Sequence, residues 1–598
     1  MFSRSTAVRV FFWIVLASLI PWSQSQAVEF FVKQGPGSSD QNPGTAKQPL
    51  RTISAAAARV KAGDKVIIYG GEYREFVMIK ASGTPNAAIT FEAAPGETPV
   101  IKGSELVRGW ERTSNNVWKA KLPALPPRSN DKNDPSFWQT NDVRQVFAKD
   151  GVLLDAIHLR PSVIDQLAEG NFVCDPTKNE LYIWLSQREG PNSLTIEASM
   201  RTGWLSITGS NIVIRGLQMR HSSTLGISNG PACSLSGNNI VLQNCTLTWA
   251  DFVAVSFGGN NGKLLGCTVA CNGNSGINGK GEGHIVEGCR VLYNNIDRYY
   301  FGWHCGGAKF IPQFCRGRIV RSEFAYNIGP GLWLDDRCND NLVEGNLCHD
   351  NEGPGIEVEA SANNRVFNNI CFSNRNPLAG EFLEPDESSN EGNRFRRLSR
   401  GGKDAAQFPY HAGEGRGIYV SSSPGSRVYH NTCYLNEGEG ICVESPLRGE
   451  MSTRDVSVLN NITAYNKGTQ LVMRRNGKDA HTHDNQSDYN LLMTLGAVFA
   501  TPGWDGPFAS SLKEWQKSTG NDKHSVEADP AFAMAAMGDF RLLPMSAGAR
   551  RGQPLDDVRN DFFGSPRPKS KVSIGACEVT AFDYPRPTAP YLQVPFSQ

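Results

Sequence analysis

The stretches IVRSEFAYNIGPGLWLD (319–335) and LVEGNLCHDNEGPGIEVE (342–359) follow one pattern, which returns as RVYHNTCYLNEGEGICVE (427–444). Each contains two or three short runs of alternating apolar residues, separated by Gly or Asn. Further copies, mostly at spacings of 22 to 24 residues, begin at Ile240, Lys263, Ile285, Arg365 and Ser457. No copy is long enough to close a core alone, so the repeat predicts a solenoid.

The length and composition of the repeat distinguish between types of solenoid. A leucine-rich repeat needs an L-x-x-L-x-L frame, which is missing, and a propeller blade needs about 40 residues. Short strands with Asn and Gly at the corners predict an all-β fold, a right-handed parallel β-helix. The corner residues Asn346, Asn369, Asn431 and Asn461 predict a stacked amide ladder rather than a binding site.

The first residues, 1–27, read as an export signal. Arg4 and Arg9 flank an apolar run that ends at Pro21, and Ser25-Gln26-Ala27 offers a cleavage site of small residues. The run is about half of the roughly twenty residues that span a bilayer. We expect a mature protein from Val28, periplasmic or extracellular and not membrane-bound after cleavage, with an uncleaved anchor as the alternative.

The rest of the chain divides by changes in its rhythm. Residues 30–75 predict a cap that covers the open end of the solenoid, with a short helix near Ile53 to Val60. The predicted units are 28–105 (cap and first coils), 106–200 (a small β-sandwich-like insertion), 201–492 (the β-helix core, with an inserted loop at 376–414) and 493–598 (a segment that closes the helix).

Charge and cysteine content exclude some classes of function. The formal net charge is +1, so the chain as a whole does not attract nucleic acid. Among 14 cysteines, Cys245, Cys267 and Cys289 recur every 22 residues, which predicts stacking in one core column rather than disulfides. No C-x2-C pair occurs, so no metal site is expected.

Alignment of the coils places polar residues in columns. Gly331–Asp335 aligns with Gly355–Glu359, one coil of 24 residues later. Because side chains alternate along a strand, one set points inward and the other outward. The outward columns are Lys309, Trp333, Glu357 and Tyr419, and beside them Asp335, Glu359, Ser421 and Glu444. An acidic and aromatic patch of this kind predicts a carbohydrate-binding surface.

The spacing of these carboxyl groups suggests a reaction. Asp335 and Glu359 lie on adjacent coils, so their backbones should be about 4.8 Å apart, near the roughly 5–5.5 Å of retaining glycosidases. Asp335 with Glu357 lies on a diagonal of roughly 8 Å, within the inverting range. We favour Asp335 as nucleophile and Glu359 as acid/base, with Asp336 and Glu352 as substitutes.

Three motifs carry a resemblance to a known group of proteins: GWHCGGAKF (302–310), GPGLWLDD (329–336) and GPGIEVEAS (353–361). With the cap, they resemble exported pectate-lyase-like β-helix proteins, nearest to β-helix glycoside hydrolases such as the β-helix β-xylosidases. The resemblance implies hydrolysis with retention by Asp335 and Glu359, beside Lys309 and Trp333. The chain departs from the pattern at Arg337 and His304, where acidic residues would be expected.

The sequence therefore predicts a secreted glycoside hydrolase, without cofactor, that acts on a plant or algal polysaccharide or its oligosaccharides. The predicted substrate contacts are Lys309, Trp333, Glu357, Asp336, His304, Tyr419 and Glu444. A first alternative is a polysaccharide lyase or epimerase, in which Ca²⁺ or basic residues such as Lys309 neutralise a uronate. A second alternative is a non-catalytic carbohydrate-binding or adhesin solenoid.

Overall fold

The computed structural model describes residues 27–114, 116–124, 143–148, 152–156, 167–185, 190–224, 230–300, 302, 304–376, 381–385, 395–399, 415–444, 451–473, 484–494, 500–501 and 509–579. The predicted export signal lies outside these residues, apart from Ala27, and so does most of the loop at 376–414. Within these ranges, no helix is both long and apolar enough to cross a membrane.

Three long parallel sheets form the body of the molecule, and successive coils add one strand to each. In the described chain, the first sheet has 13 strands: Glu29–Val32, Lys65–Ile68, Ile89–Ala93, Ile212–Arg215, Ile240–Gln243, Lys263–Leu265, Ile285–Glu287, Arg318–Val320, Leu342–Glu344, Arg365–Phe367, Arg427–Tyr429, Ser457–Leu459 and Gln486–Asp488.

The second sheet has 12 strands within the described ranges: Val77–Ile79, Leu205–Ile207, Cys233–Leu235, Val253–Phe257, Ser275–Glu282, Gly306–Cys315, Leu332–Leu334, Ile356–Glu359, Ile418–Ser421, Ile441–Glu444, Leu471–Met473 and Ala500–Thr501. The third has 13: Gly71–Tyr73, Pro99–Lys102, Gln218–Ser222, Thr246–Ala250, Thr268–Ala270, Arg290–Leu292, Glu323–Ala325, Leu347–His349, Ile370–Phe372, Thr432–Tyr434, Ile462–Ala464, Leu491–Met493 and Val526–Glu527.

One apolar core runs along the axis between the three sheets. The residues predicted to point inward, among them Leu332, Leu334, Ile356 and Val358, are fully buried in it. The same cluster extends from Val32 near the start of the described chain to Trp515 near its end. The architecture is the right-handed parallel β-helix that the repeat predicts, and the prediction of the fold class is confirmed.

A short helix lies at each end of this core. The first, Ile53–Ala57, begins at Thr52, whose hydroxyl accepts a hydrogen bond from Ala55 N, and it buries Ile53 against the first coils. The second, Leu512–Thr519, ends at Gly520 in the left-handed region (φ 73°). It buries Leu512 and Trp515 in the core. Both helices cover apolar surface that the terminal coils would otherwise expose.

A separate sheet interrupts the solenoid after its second coil. Its eight described strands, in spatial order, are Ser104–Val107, Ile196–Ser199, Val146–Ala148, Val152–Ala156, Asn171–Asp175, Glu180–Trp184, Val117–Lys121 and Glu111–Ser114. They pair antiparallel except at one junction. Val146 and Ile196 share one core with Phe172 and Leu181, so the two halves of the sheet face each other, as in a sandwich. A 3-10 turn, Pro191–Ser193, precedes the last strand.

The segment 509–579 packs along the side of the solenoid as well as over its end. The described hairpin Phe532–Met534 and Asp539–Leu542, joined by the 3-10 turn Ala535–Met537, covers the outer face of the third sheet. Phe540 and Phe562 contact Leu347 and Ile370 there. A second short hairpin, Glu381–Pro385 with Phe395–Ser399, lies within the inserted loop.

Buried asparagines connect successive coils, as predicted. The Asn369 side chain donates to Asn431 Oδ1 (3.0 Å) and to the Val343 carbonyl (2.9 Å). Its own Oδ1 accepts from Asn346 N (2.9 Å) and Nδ2 (3.0 Å). The ladder continues through Asn461 and Asn490. Each amide thus satisfies backbone groups at a corner where the sheet hydrogen bonds stop.

The cysteines occupy core columns as free thiols. All 14 are free, and most are buried. Cys348, Cys371 and Cys433 stand opposite one another on adjacent strands of the third sheet. Cys245, Cys267 and Cys289 each donate to backbone carbonyls of the core. The thiols therefore act as small packing residues, consistent with the predicted stacking.

Replacing Asn369 with Ala should lower the free energy of unfolding by about 3 kcal/mol, since it leaves buried partners on two coils without hydrogen bonds. Urea unfolding measures the change. Asn238→Ala is the matched control, because Asn238 is exposed and its side-chain oxygen accepts from Asn260 N at a surface turn. Equal losses in the two variants would contradict a structural role for the buried ladder.

Candidate functional site

The register of the second sheet produces the columns that the coil alignment predicts. Lys309 pairs with Trp333, Trp333 with Glu357 and Glu357 with Tyr419. In the neighbouring column, Glu359 pairs with Ser421, which pairs with Glu444. Asp335 directly follows Leu334, the partner of Val358, and therefore enters this second column on the coil before Glu359.

A buried ion pair lies at the centre of these columns. Lys309 Nζ is 3.0 Å from Asp335 Oδ2, and both side chains are almost fully buried, at 2% and 1% exposed. The same Nζ lies over the indole of Trp333, 3.2 Å from the ring centroid. The ammonium therefore contacts a carboxylate and an aromatic face together, an arrangement that removal from water strengthens.

Two more carboxyl groups approach this ion pair from the next coil. Glu357 is buried, and its pKa is raised well above the usual range by burial, by the charge of Glu359 and by that of Asp335. Lys309 opposes this shift. Glu359 is partly exposed. Two neighbouring carboxyl groups that cannot both ionise freely are the electrostatic arrangement that a general acid requires.

The side chains of these two columns are more buried than the sequence predicts. The sequence predicts outward side chains on a solvated face, but Trp333, Asp335, Glu357 and Tyr419 are each no more than 2% exposed. They lie outside the axial core, so the alternation itself is correct. In the described part of the chain, Trp333 Nε1 and Glu357 Oε2 are buried without a hydrogen-bond partner. Both atoms are suited to a polar ligand.

His304 lies on the coil that precedes this centre. Its Nδ1 is 3.0 Å from Asn274 Oδ1, and its Nε2 is 2.9 Å from the side-chain amide of Asn278. Burial and the positive charge of Lys309 lower its pKa to about 3, so the ring is neutral at physiological pH. Asn278 is the partner of Lys309 in the sheet, and the sequence analysis missed it. A longer insertion between those two strands hides the spacing.

Tyr419 and Glu444 belong to a neighbouring buried network. The Tyr419 hydroxyl donates to Glu444 Oε1 (2.8 Å). Burial and the Glu444 charge raise the pKa of Tyr419. Arg416 stacks on the Tyr419 ring at 4.4 Å and bonds Glu439 Oε2 at 2.7 Å. The sequence analysis missed Arg416 and Glu439, although opposite charges one coil apart, each before an aligned Gly, could have revealed them.

Asp336 and Glu352, the alternative candidates for the catalytic pair, lie outside the centre around Lys309. Asp336 is partly exposed and pairs with the exposed Arg337 at 3.0 Å. Glu352 is buried and pairs with Arg298 at 3.3 Å and Arg375 at 3.8 Å. Neither makes a described contact with Lys309.

The sequence analysis also missed a second pair of carboxyl groups, Asp251 and Asp297. Burial raises the pKa of Asp251 to about 8 and that of Asp297 to about 7, while the charge of Arg144 opposes both shifts. Asp251 accepts hydrogen bonds from the amide and hydroxyl of Thr224. Both residues follow third-sheet strands at a corner, where a comparison of corner positions could have found them.

Metal binding finds no support in the described ranges. No group of three or more His, Cys, Asp or Glu side chains there is arranged to hold an ion. The centre around Lys309 consists of an ion pair with further carboxyl groups. It can bind polar ligands and transfer protons, and the described residues do not form a Ca²⁺ site.

Two family models match the solenoid. One, described as a right handed beta helix region, matches residues 192–395. The other, described as a periplasmic copper-binding protein (NosD), matches residues 315–486. Together with the three parallel sheets, these matches define the chain as a right-handed parallel β-helix protein. The described residues offer no cluster that fits the copper of the second description.

Particular proteins are similar to parts or to all of the chain. The solved complex of XylC with xylose aligns over 92% of this chain and 98% of its own, with a TM-score of 0.63 and 16% identity. A glycoside hydrolase aligns over 79% and 94%, with a TM-score of 0.45 and 12% identity. The uncharacterized protein YwoF of Bacillus subtilis (strain 168) is 41% identical over 71 residues, which span 12% of this chain and 15% of YwoF.

Replacing one partner of the buried ion pair should lower stability more than replacing both partners together. Lys309→Met and Asp335→Leu should each lower the free energy of unfolding by about 3–5 kcal/mol, since each leaves an unpaired buried charge. The double variant should lose less than the sum of the two. Denaturant unfolding of the four proteins gives the coupling. Asp336→Asn is the control at an exposed pair and should leave stability nearly unchanged. Additive losses would contradict the pairing.

Glu357 should make stability dependent on pH. Its pKa is higher in the folded than in the unfolded chain, so the folded state holds the extra proton, and the free energy of unfolding falls as pH rises above the unfolded pKa. Glu357→Gln should remove this slope at pH values above the ordinary pKa of a glutamate side chain. Glu437→Gln is the opposite control, because Lys467 lowers the pKa of Glu437. An unchanged slope in Glu357→Gln would contradict the assignment.

Proposed function

We propose that this protein is an exported glycoside hydrolase that cleaves plant or algal oligosaccharides or polysaccharides with retention. The observation that carries the proposal is the grouping of three carboxyl side chains, Asp335, Glu357 and Glu359, around Lys309 and Trp333. Two carboxyl groups with different protonation states are what glycosidic bond cleavage requires.

Asp335 is the proposed nucleophile. Its carboxylate is fixed by Lys309 at 3.0 Å, and the positive charge of Lys309 offsets its negative charge in a buried site. A carboxylate held in one position reduces the entropy lost when it attacks the anomeric carbon. Lys309 is a positioning residue in this scheme, since its ammonium is already engaged by Asp335 and by the indole of Trp333.

Glu359 is the proposed acid/base. It occupies the column of Asp335 on the next coil and is the partly exposed member of the Glu357 and Glu359 pair, so a leaving group and water can reach it. Glu357, beside it, is the rival proton donor because its pKa is raised. In this scheme Glu359 first donates a proton to the glycosidic oxygen. It later takes a proton back from the attacking water.

Sugar hydroxyls would complete the buried polar groups of the site. The indole N–H of Trp333 and Glu357 Oε2, which have no partner within the described residues, are a donor and an oxygen suited to hydroxyl contacts. Similarity in fold to the complex of XylC with xylose makes xylosides the first substrates to test.

The lyase or epimerase alternative depends on side chains that already have partners within the protein. A lyase or epimerase would need a free base and a cation that neutralises the uronate carboxylate. Lys309 is held in an ion pair, His304 is flanked by two amides, and the described residues form no cluster for Ca²⁺.

An export route to the periplasm or beyond would agree with residues 1–27 and with the periplasmic description of the second family model.

Variants of the three carboxyl groups test this assignment. With aryl xylosides, Asp335→Asn should lower kcat at least 1000-fold for every leaving group. Glu359→Gln should do so only for poor leaving groups, because an activated phenol departs without a proton. Glu357→Gln should retain most activity. The measurement is release of the phenol across a series of leaving-group pKa values, with proton NMR of the first-formed anomer.

Four outcomes would contradict the proposal. A selective loss for poor leaving groups in Glu357→Gln, but not in Glu359→Gln, would move the acid/base role to Glu357. Inversion at the anomeric carbon would exclude Asp335 as a nucleophile. With a uronate-containing polysaccharide as substrate, an unsaturated product absorbing at ~235 nm that persists in Asp335→Asn would identify a lyase, and binding without turnover would identify a non-catalytic solenoid.

A further inference from the structure

A large cleft lies where the eight-stranded sheet joins the solenoid, away from the second sheet. Its volume is 1140 Å³, which exceeds the roughly 300–1,000 Å³ that is typical of small-molecule sites. Arg74, Lys102, Arg220 and His221 line one side, and Trp249 is part of the same wall. The whole lining belongs to described residues.

Glu197 of the inserted sheet organises the basic side of this cleft. It accepts Lys102 Nζ at 2.8 Å, Arg74 Nη2 at 3.1 Å and Ser104 Oγ at 2.6 Å. It also lies 3.2 Å from His221 Nδ1. Lys102 and Arg74 therefore have a carboxylate partner within the protein. The junction is rigid, since strands from both units contribute to one hydrogen-bonded network.

Arg220, another cation of the lining, forms no ion pair with a carboxylate of the described residues. It stands opposite Lys102 in the third sheet, where two like charges on adjacent strands repel each other. Its Nε is buried and has no hydrogen-bond partner in the described chain, and the same holds for Oγ1 of Thr248, the next residue in that column. Burial lowers the pKa of Arg220, while the nearby charges of Glu72 and Glu197 oppose that shift.

Aromatic rings form the wall beside this column. His221 stacks on Phe147 at 3.7 Å, and Phe147 meets Trp249 edge-on at 5.8 Å. Trp249 is partly exposed and lines the cleft. Arg108 lies exposed at the rim. The cleft thus offers four cationic side chains against the two carboxylates of Glu72 and Glu197, together with an accessible aromatic face.

We propose that this cleft binds a uronic acid residue of an oligosaccharide, with the sugar carboxylate on Arg220 and the ring against Trp249. A guanidinium matches a carboxylate in a bidentate geometry. The size of the cleft admits the neighbouring sugars of a chain. The proposal does not rest on hydrolysis at Asp335, because it concerns a different sheet and different residues.

Calorimetric titration with trigalacturonate, using the full mature chain, tests the proposal. Wild type and Asp335→Asn should bind equally. Arg220→Gln should weaken binding at least tenfold, and Trp249→Asn, a residue type that tolerates the left-handed backbone of this position (φ 62°), should also weaken it. Xylotriose should bind at least tenfold more weakly than trigalacturonate, and added salt should weaken trigalacturonate binding.

Arg215→Gln is the matched control, since Arg215 is an exposed arginine of the neighbouring sheet that pairs with Glu92. Circular dichroism establishes that each variant folds. Unchanged affinity in both Arg220→Gln and Trp249→Asn would overturn the proposal. Equal affinity for xylotriose would overturn the role of the carboxylate, and displacement by acetate at the same concentration as trigalacturonate would overturn the role of the sugar. Loss of binding in Asp335→Asn would place the ligand in the other site.

Discussion

The register between successive coils is the constraint on which the remaining structure depends. Each coil is held to the next by the strand hydrogen bonds of three sheets and, at the corners, by buried amides such as Asn369 that bond the next asparagine and a core carbonyl. A shift of one residue would turn apolar side chains out of the core and break the amide ladder. Residues one coil apart in sequence are therefore held about one strand spacing apart in space.

This constraint brings charged side chains together at a cost. Lys309, Trp333 and Glu357 share one column, and Asp335 is held against Lys309, all nearly excluded from water. Burial of a charge opposes folding unless that charge has a partner. The pKa of Glu357 is raised because burial and the neighbouring carboxyl groups disfavour its charged form. Such perturbed groups are typical of functional sites, where stability is given up for reactivity.

The periodic part of the molecule could be predicted from the sequence because period and alternation are properties of the chain itself. The inward Leu332 and Ile356 and the asparagine ladder follow from them directly. Burial of the outer columns could not be predicted, since alternation fixes the side of the strand on which a side chain lies but not what covers that side. Asn278 was missed because an insertion changes the spacing to Lys309, and the cleft at Arg220 because it joins residues that are distant in sequence.

The two proposed sites lie on one solenoid because insertions leave at corners and the register then resumes. The strand Pro99–Lys102 pairs directly with Gln218–Ser222, although the whole eight-stranded sheet intervenes in the sequence. Likewise Ile356–Glu359 pairs with Ile418–Ser421 across the inserted loop. In each case the core is continuous, and the eight-stranded sheet adds new neighbours to the outer face. Sequence change in the inserted segments can therefore alter what the outer columns bind while the buried ladder preserves the fold.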